Sequence, residues 1–433
     1  ALLTDRVVFM AMSFTGHTLY ILFLSAIWLG IARLFFLAIL SLWNRRRESE
    51  DQAPPPAEES FGVSVIIPAY NEESVIATTV KRILASTYKN LEVIVVDDGS
   101  KDRTSQVMQE NFADDARITT IRIANGGKAH ALNTGLANAK GEVIVALDAD
   151  TQFSRDAIAR LVRWFTDSEI GAVAGNAKVG NRINMITRWQ ALEYIVAQNL
   201  ERRALAALGT LTVVPGAVGA WRKSALVELG GFTSDTLAED QDLTIAIQKA
   251  GYRVKFDSSA LAWTEAPLTV RALAKQRFRW AYGTLQCLWK YRDITFNPRF
   301  GALGAVALPQ VWMFQIALTA LAPLADLLLI WQLAWQGVAY LEHGAEFTNN
   351  DLVLVGIYYV VFVVVDLLAA VFGFLMERRE NWSLLWWLML QRFGYRQIMY
   401  YVVVRSIVTA LKGPFVGWGK LERTATVKMR EAS

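Results

Sequence analysis

Hydrophobic and polar positions follow different rhythms in successive parts of the chain. From Leu19 to Trp43 the residues are apolar apart from Arg33 and a few small polar ones, and the run closes on Arg45, Arg46 and Arg47. About 20 apolar residues span a bilayer core, and basic flanks stay on the cytoplasmic side. Residues 1–47 are therefore predicted as an N-terminal membrane helix, with the chain beyond Arg47 emerging into the cytoplasm. Residues 48–62 are acidic in charge, with five carboxylates and no basic residue, and carry Pro54, Pro55 and Pro56, the composition of a solvated linker. Over residues 63–267, β-branched runs such as Val63 to Ile67, Glu92 to Val96 and Glu142 to Leu147 alternate with helix-patterned stretches. That alternation predicts an α/β domain of parallel strands joined by crossover helices.

The remainder reads as membrane-associated helix. Within residues 268–300, Arg271, Lys275, Arg277, Arg279 and Lys290 are interleaved with Leu273, Phe278, Trp280, Tyr282, Leu285, Leu288 and Trp289, the pattern of an amphipathic helix lying in the membrane interface. Residues 301–412 are predicted to hold the C-terminal transmembrane helices. Leu303 to Trp335, interrupted by Pro309 and Pro323, reads as a helix leading into the membrane and then a span. Leu352 to Met376 is a further span containing Asp366. Residues 384–411 carry Arg392, Arg396 and Arg405, and fit either one long helix or a shorter interfacial helix plus a span. Residues 413–433 form a tail, with no regulatory domain visible in it.

Composition supports this layout. A chain of 433 residues that is 53% hydrophobic is too long for one ordinary domain and too apolar for a purely soluble one. The net charge of +4 is small, and its basic residues cluster beside apolar runs. This argues for juxtamembrane anchoring against lipid and excludes nucleic acid as a partner. Cys287, the only cysteine, cannot form an internal disulfide, and with three histidines it cannot build a structural zinc site; it reads as a small semi-buried apolar residue. No cleavable signal peptide is expected, because the first long apolar run continues past the length of one. The chain begins at Ala1 rather than Met, as a mature or excised piece of something longer would.

In open α/β sheets ligands bind beyond the carboxyl ends of the strands. Here Tyr70, Asn71 and Glu72 follow the first run, Asp97 and Asp98 the second, and Asp148 and Asp150 the third, so three strand ends are predicted to converge on one pocket. The D-x-D of Asp148 and Asp150 can hold Mg²⁺ or Mn²⁺ that also grips phosphate. Pro68 to Glu72, with Asp97, Asp98, Gly99 and Ser100, offers groups suited to a uracil edge and ribose hydroxyls, with Tyr70 able to stack on a base; the same residues also suit turns and N-caps. Lys128, after Gly126 and Gly127, could meet a diphosphate as a point charge. Glu239, Asp240, Gln241 and Asp242 are predicted in a loop ahead of a helix beginning near Leu243, with Asp240 as a base for an acceptor hydroxyl and Asp242 as the cap. On the interfacial helix, Gln276, Arg277, Phe278, Arg279 and Trp280 could bind diphosphate and stack on a sugar, or anchor the helix to anionic lipid.

Taken in order, these motifs resemble the processive family-2 glycosyltransferases over roughly residues 60–290: the cellulose, hyaluronan, chitin-oligosaccharide and poly-N-acetylglucosamine synthases. The resemblance implies a cytosolic GT-A domain of Rossmann-like α/β type packed on interfacial and transmembrane helices. It implies an inverting transfer from a UDP-sugar donor to a growing polysaccharide, with Mg²⁺ or Mn²⁺ as cofactor, in a multi-pass protein of the bacterial inner membrane. Carried over by motif, Pro68, Tyr70, Asn71, Glu72, Asp97, Asp98 and Lys128 would line the UDP site. Asp148 and Asp150 would be the metal pair, with Asp150 the favoured ligand, and Asp240 would be the catalytic base. Gln276, Arg279 and Trp280 would form the Q-x-x-R-W signature beside the acceptor channel, the signature that separates polymerising enzymes from single-transfer relatives. Val214 to Ala220 resembles the segment lining the acceptor site, departing from it at Pro215, where several relatives carry Ser or Cys.

The compact chain is most similar to the poly-β-1,6-N-acetylglucosamine synthases, and the tail from Gly417 to Arg423 is similar to bacterial chains in which such a transferase is fused to a polysaccharide deacetylase. UDP-N-acetylglucosamine is the first expected donor, followed by UDP-glucose or two alternating donors. Coupling of synthesis to export is expected, and an accessory membrane or export subunit is left open as a partner. The rival readings are a non-processive transferase that loads a lipid carrier, and a non-catalytic transporter or export module, suggested by Asp366 and Arg405 in apolar surroundings.

Overall fold

β1 (Val63–Ala69) is buried along nearly its whole length, as expected of a central strand covered on both faces. This strand organises a computed structural model that describes residues 21, 24–25, 27–46, 61–343, 350–377 and 380–413. Most of the predicted linker and the tail beyond Gly413 lie outside the described residues. Before β1 comes α1 (Ile27–Arg46), which packs Leu37 and Leu40 against Ala204 and Ala207. The α/β segment then runs α2 (Ile76–Leu84), β2 (Leu91–Asp97), α3 (Thr104–Phe112), β3 (Ile118–Arg122), α4 (Lys128–Asn138), β4 (Val143–Ala146), β5 (Gln152–Phe153), α5 (Ala157–Val162) and β6 (Ile170–Val179). It continues through α6 (Met185–Glu193), a π-helical turn (Tyr194–Asn199), α7 (Leu200–Ala207), β7 (Gly219–Arg222), α8 (Lys223–Glu228), α9 (Glu239–Lys249) and β8 (Arg253–Thr264).

The eight strands form one sheet in the order β3-β2-β1-β4-β7-β6-β8-β5. β1 pairs in parallel with β2 and β4, and β2 with β3, as the alternating pattern predicts. The sheet is nonetheless mixed. β7 returns antiparallel between β4 and β6, and β5 pairs antiparallel with β8. Strand pleating sends alternate residues to opposite layers. Ile66, Ile94 and Ile144 pack into one core with α4, and Val65, Val93 and Val145 into the other with Ile76, Val80 and Ile83 of α2. α4 sits so close to β1 that a Cβ on Gly135 would come within 2.4 Å of Ile66 Cγ2.

α10 (Val270–Lys290) comes next, its N-terminus capped by the Thr269 side chain, which accepts from Ala272 N. Beyond it lie the π-helical turns Leu303–Ala307 and Val311–Ala317, which flank α11 (Leu308–Gln310) around Pro309. Wide turns of this kind tolerate the N–H that proline lacks. Leu303, Ala307, Leu308, Val311 and Ile316 join the same core as β1 and α4, so the chain after α10 is seated on the α/β segment. α12 (Leu318–His343) contains Pro323 and leads to α13 (Asn350–Met376). The two alternatives for residues 384–411 resolve into α14 (Trp386–Gln391) and the longer α15 (Tyr395–Lys412). The break falls at Gly394, where a Cβ would lie 2.9 Å from the Trp189 ring. Among the described residues, two helical stretches, Ile27–Arg46 and Leu303–Leu324, are long and apolar enough to cross a membrane.

A buried ion cluster fastens α13 to the sheet. Glu377 takes Lys178 Nζ at 3.1 Å, Arg203 Nη2 at 3.0 Å and Asn176 Nδ2 at 3.1 Å. Glu380 takes Lys178 Nζ at 2.8 Å and Arg182 Nη1 at 2.6 Å. Both carboxylates are held below their ordinary range. Burial alone would raise them, and Arg203, Lys178 and Asn176 for Glu377, and Arg182 and Lys178 for Glu380, outweigh it.

Candidate active site

The loops at the carboxyl ends of β1, β2 and β3 brace one another through side chains that take up backbone N–H groups. Asn71, left-handed at φ 54°, accepts from Lys101 N at 2.7 Å and sends its own N–H to Ser100 Oγ at 2.9 Å. The Glu72 N–H reaches Thr104 Oγ1 at 2.8 Å. Asp97 accepts from Ser100 N at 2.8 Å and from the Ser105 hydroxyl. Asp98 spends its two oxygens on Gly126 N at 2.7 Å and Gly127 N at 2.9 Å. Gly127, at φ 89°, is the permissive hinge that lets this loop turn into α4. Pro68 lies within β1 and Tyr70 directly beyond it, so the predicted nucleotide-site residues share one edge of the fold. The carboxylates of Asp97 and Asp98 act within the loops, fixing where Lys128 emerges at the start of α4.

Lys128 is where the predicted constellations meet. Its Nζ lies 2.8 Å from Asp148 Oδ1 and 2.8 Å from Glu239 Oε1. Burial works against the ammonium, yet Asp148, Glu239 and Asp240 together push its pKa well above the usual lysine value. One cation thus joins the D-x-D after β4 to the acidic start of α9. Asp240 beside it accepts from Gly216 N at 3.0 Å and from Gln241 N at 2.8 Å, which fixes the plane of its carboxyl group. Burial and the Glu239 charge raise Asp240 to about 6, against the opposing pull of Lys128 and the two backbone N–H groups. The Val214 to Ala220 segment therefore has a defined job in spite of Pro215: it delivers the Gly216 N–H to Asp240. A Cβ on Gly216 would meet Lys128 Nζ at 2.8 Å.

Two expectations about α9 change. Glu239, Asp240 and Asp242 lie in its first turn rather than in a preceding loop, since acidic residues suit the positive end of a helix. Asp242 is not the cap; the N-cap is Ala238, which makes no side-chain cap bond. Asp242 is buried instead between Tyr291 Oη at 2.6 Å, Lys290 Nζ at 2.8 Å and Thr233 Oγ1 at 2.6 Å.

α10 crosses over this turn. Thr284 Oγ1 donates to Gln241 Oε1 at 2.8 Å, and Gln286 Oε1 accepts from Leu237 N at 2.8 Å. Cys287 is fully buried, with its Sγ 3.8 Å from Ala238 O. A Cβ on Gly283 would lie 2.8 Å from Ala238 N, a backbone atom that cannot swing aside. Gly283→Ala is therefore expected to shift the turn carrying Asp240 and to lower turnover by about tenfold or more, with folding preserved by thermal melt; unchanged turnover would show that the contact does not position Asp240.

Of the signature residues, Gln276, Arg279 and Trp280 are half-buried on α10. The buried arginine is their neighbour Arg277, paired with Glu193 and with Tyr395 Oη at 3.1 Å and set 4.0 Å from the Trp280 ring centroid. Arg277 thereby locks the orientation of Trp280 and ties α10 to α6 and α15. Sequence reasoning also passed over Glu239 as a partner of Lys128, and over Arg202. The buried Arg202 guanidinium lies within electrostatic reach of Asp240, as Tyr194 does of Asp150. The signals available were the Glu201-Arg202-Arg203 run in an otherwise apolar stretch, and the adjacency of Glu239 to Asp240.

Among the described residues no group of three or more His, Cys, Asp or Glu gathers as a metal cage. Asp148 already holds a cationic group, Lys128 Nζ, on its Oδ1, and Asp150 is buried beside it in sequence. Two hard carboxylate donors fit a divalent ion that completes its shell with diphosphate and water.

The mixed Rossmann-like sheet with a D-x-D beyond one of its strands is of the GT-A glycosyltransferase type, and residues 64–230 match the family model described as glycosyl transferase family 2. Curated proteins similar to this chain include two staphylococcal synthases. Poly-beta-1,6-N-acetyl-D-glucosamine synthase of Staphylococcus aureus is 32% identical over 227 residues, covering 52% of this chain and 55% of that protein. The Staphylococcus epidermidis protein of the same name is 30% identical over 268 residues, covering 61% and 63%. The matches thus span less than two thirds of those relatives' length. Among solved structures, the mannosyltransferase PcManGT from Pyrobaculum calidifontis, in complex with GDP-Man and Mn²⁺, shares the fold at a TM-score of 0.60 and 23% identity, over 89% of this chain and 98% of that one.

Proposed function

We propose that the protein is a membrane-embedded, processive, inverting glycosyltransferase that polymerises UDP-N-acetylglucosamine into a β-linked polysaccharide and couples synthesis to export across a bacterial inner membrane. The observation that carries this reading is the junction at Lys128, which brings Asp148 of the D-x-D and Glu239 to one ammonium beside Asp240. In this scheme Asp240 takes the proton of the acceptor hydroxyl as its oxygen forms a bond to the anomeric carbon. The bond from that carbon to the diphosphate oxygen breaks on the opposite face, inverting the centre and releasing UDP. The two N–H groups on Asp240 aim its carboxylate. Asp148 and Asp150 would hold Mg²⁺ or Mn²⁺, whose chemistry is to neutralise charge on the diphosphate. Pro68, Tyr70, Asn71, Glu72, Asp97 and Asp98 would form the nucleotide side of the pocket. Gln276, Arg279 and Trp280 would meet the diphosphate and the acceptor sugar.

Membrane embedding is supported by the two apolar stretches Ile27–Arg46 and Leu303–Leu324, and by Trp28, Phe35 and Ile39 left exposed on α1. Under this reading the α/β domain of residues 63–267 faces the cytoplasm, with residues 268–300 at the interface and residues 301–412 forming the C-terminal spans. The identity of the donor and the polymerising mode are supported by the similarity to the staphylococcal synthases. The test is to incubate detergent-purified protein with UDP-N-acetylglucosamine and Mg²⁺ or Mn²⁺ and to size the product. Long chains are expected. A single added sugar would point to a lipid-linked single transfer, and polymer formed only from another UDP-sugar would move the assignment to a cellulose-, hyaluronan- or chitin-oligosaccharide-type synthase.

A further inference from the structure

We infer that Lys128 makes divalent-metal binding at the D-x-D conditional on a nucleoside diphosphate: its ammonium bridges Asp148 and Glu239, competes with the metal for Asp148, and yields that carboxylate when a diphosphate offers it other oxygens. The inference rests on the reading of Asp148 and Asp150 as the metal pair. Its geometry is the 2.8 Å contact from Lys128 Nζ to Asp148 Oδ1 and the equal contact to Glu239 Oε1. The bridge is enclosed on the Glu239 side, with the lysine side chain 14% and Glu239 11% exposed, and opens toward solvent at Asp148, which is 31% exposed. It is also shaped by a glycine, because a Cβ on Gly216 would crowd Lys128 Nζ at 2.8 Å. An ammonium on Asp148 occupies an oxygen a divalent ion needs and repels that ion at short range, where partial burial limits screening.

A lysine suits this exchange. Its charge is compact, its stem is flexible, and its stem starts at the Gly126 and Gly127 loop, which Asp98 pins. A diphosphate supplies negative oxygens for the metal and the ammonium together, so both cations can be held once it is present. By reciprocity, the metal tightens nucleotide binding by the factor that the nucleotide tightens metal binding. The site then holds its metal only when a donor is bound.

The test is titration of Mn²⁺ into the detergent-purified full chain without nucleotide, with free Mn²⁺ followed by electron paramagnetic resonance. Lys128→Met and Lys128→Gln, both neutral, are expected to bind Mn²⁺ at least about tenfold more tightly than wild type, the scale set by removing one nearby cation at a partly buried site. Lys128→Arg keeps the charge and is expected to bind as weakly as wild type. Thermal melts establish that each variant is folded, and the Gln variant serves if the Met variant is not. Neutral variants that bind Mn²⁺ no more tightly than wild type overturn the inference. Adding Asp148→Asn to the neutral variant must abolish the gain; a gain that persists places the metal elsewhere and overturns the D-x-D assignment with it. Product sizing with UDP-sugars reads the polymerising activity separately, so failure of either conclusion is recognised on its own.

Discussion

Asp240→Asn is expected to lower turnover by about 10²–10⁴-fold, the range for loss of a positioned general base, while UDP binding and folding persist. The amide oxygen can still accept from Gly216 N, while the bond from Gln241 N is lost because the amide NH2 cannot accept. Removing the charge also relieves a conflict in the folded state. Asp240 titrates at about 6 in the folded chain against an ordinary value of 3.8, raised by burial and by Glu239. Over that window the folded state binds a proton that the unfolded state has lost, so stability falls as pH rises from 3.8 through about 6 and stays lower above it. Asn removes this penalty, and the melting temperature at neutral pH is expected to hold or rise as activity disappears. Wild-type turnover should in turn fall below pH about 6 with unit slope, because the base must be ionised to act. A turnover loss smaller than about tenfold in a folded Asp240→Asn protein would assign the base to another residue.

How far the sequence anticipates this site depends on the range of the interactions involved. β1, β2 and β4 are legible because strands buried on both faces must be almost wholly apolar, and the polar residues after them mark strand ends without further information. The D-x-D and the Glu239-Asp240 pair are local patterns, visible for the same reason. What joins them is not local. Lys128 reaches Glu239 only because α4 and α9 meet across the pocket, and no spacing rule encodes that. The capping role expected of Asp242 fails in the same way: Lys290, Tyr291 and Thr233 take its oxygens, and two of these partners come from the C-terminal end of α10. β7 is short, with the sequence Gly-Ala-Trp-Arg, and carries no alternation from which its antiparallel direction could be read. Arg277 and Arg279 look equivalent in sequence; burial against Glu193 and Tyr395 separates them. The choice between one helix and two over residues 384–411 turns on Gly394 meeting Trp189, a contact between distant parts of the chain.

The same reliance on long-range pairing makes Glu377 consequential for stability outside the site. Its carboxylate is 2% exposed and answers two buried cations, Lys178 at 7% and Arg203 at 6% exposure, so truncation leaves charge without a counter-ion where water cannot replace it. Glu377→Ala is expected to cost about 3–5 kcal/mol, the usual consequence of removing one partner of a buried pair. The cost should appear as a lower midpoint of thermal unfolding in detergent. Glu380 softens the loss at Lys178, which it also contacts, but does not serve Arg203. Replacing Glu377 and Arg203 together by Met should therefore recover much of the loss, because the uncompensated charge goes with its partner. The pH dependence has a definite sign. Glu377 is held below its ordinary value of 4.5, with Arg203, Lys178 and Asn176 outweighing burial. Its contribution is thus complete above about pH 4.5 and is lost as pH falls through the depressed folded value. The gap in melting temperature between wild type and Glu377→Gln should be widest at neutral pH and close in acid. A gap that is absent at neutral pH, or that widens on acidification, would mean that α13 is fastened to the sheet by apolar contacts such as Gly373 against Val196, with the ion cluster contributing little.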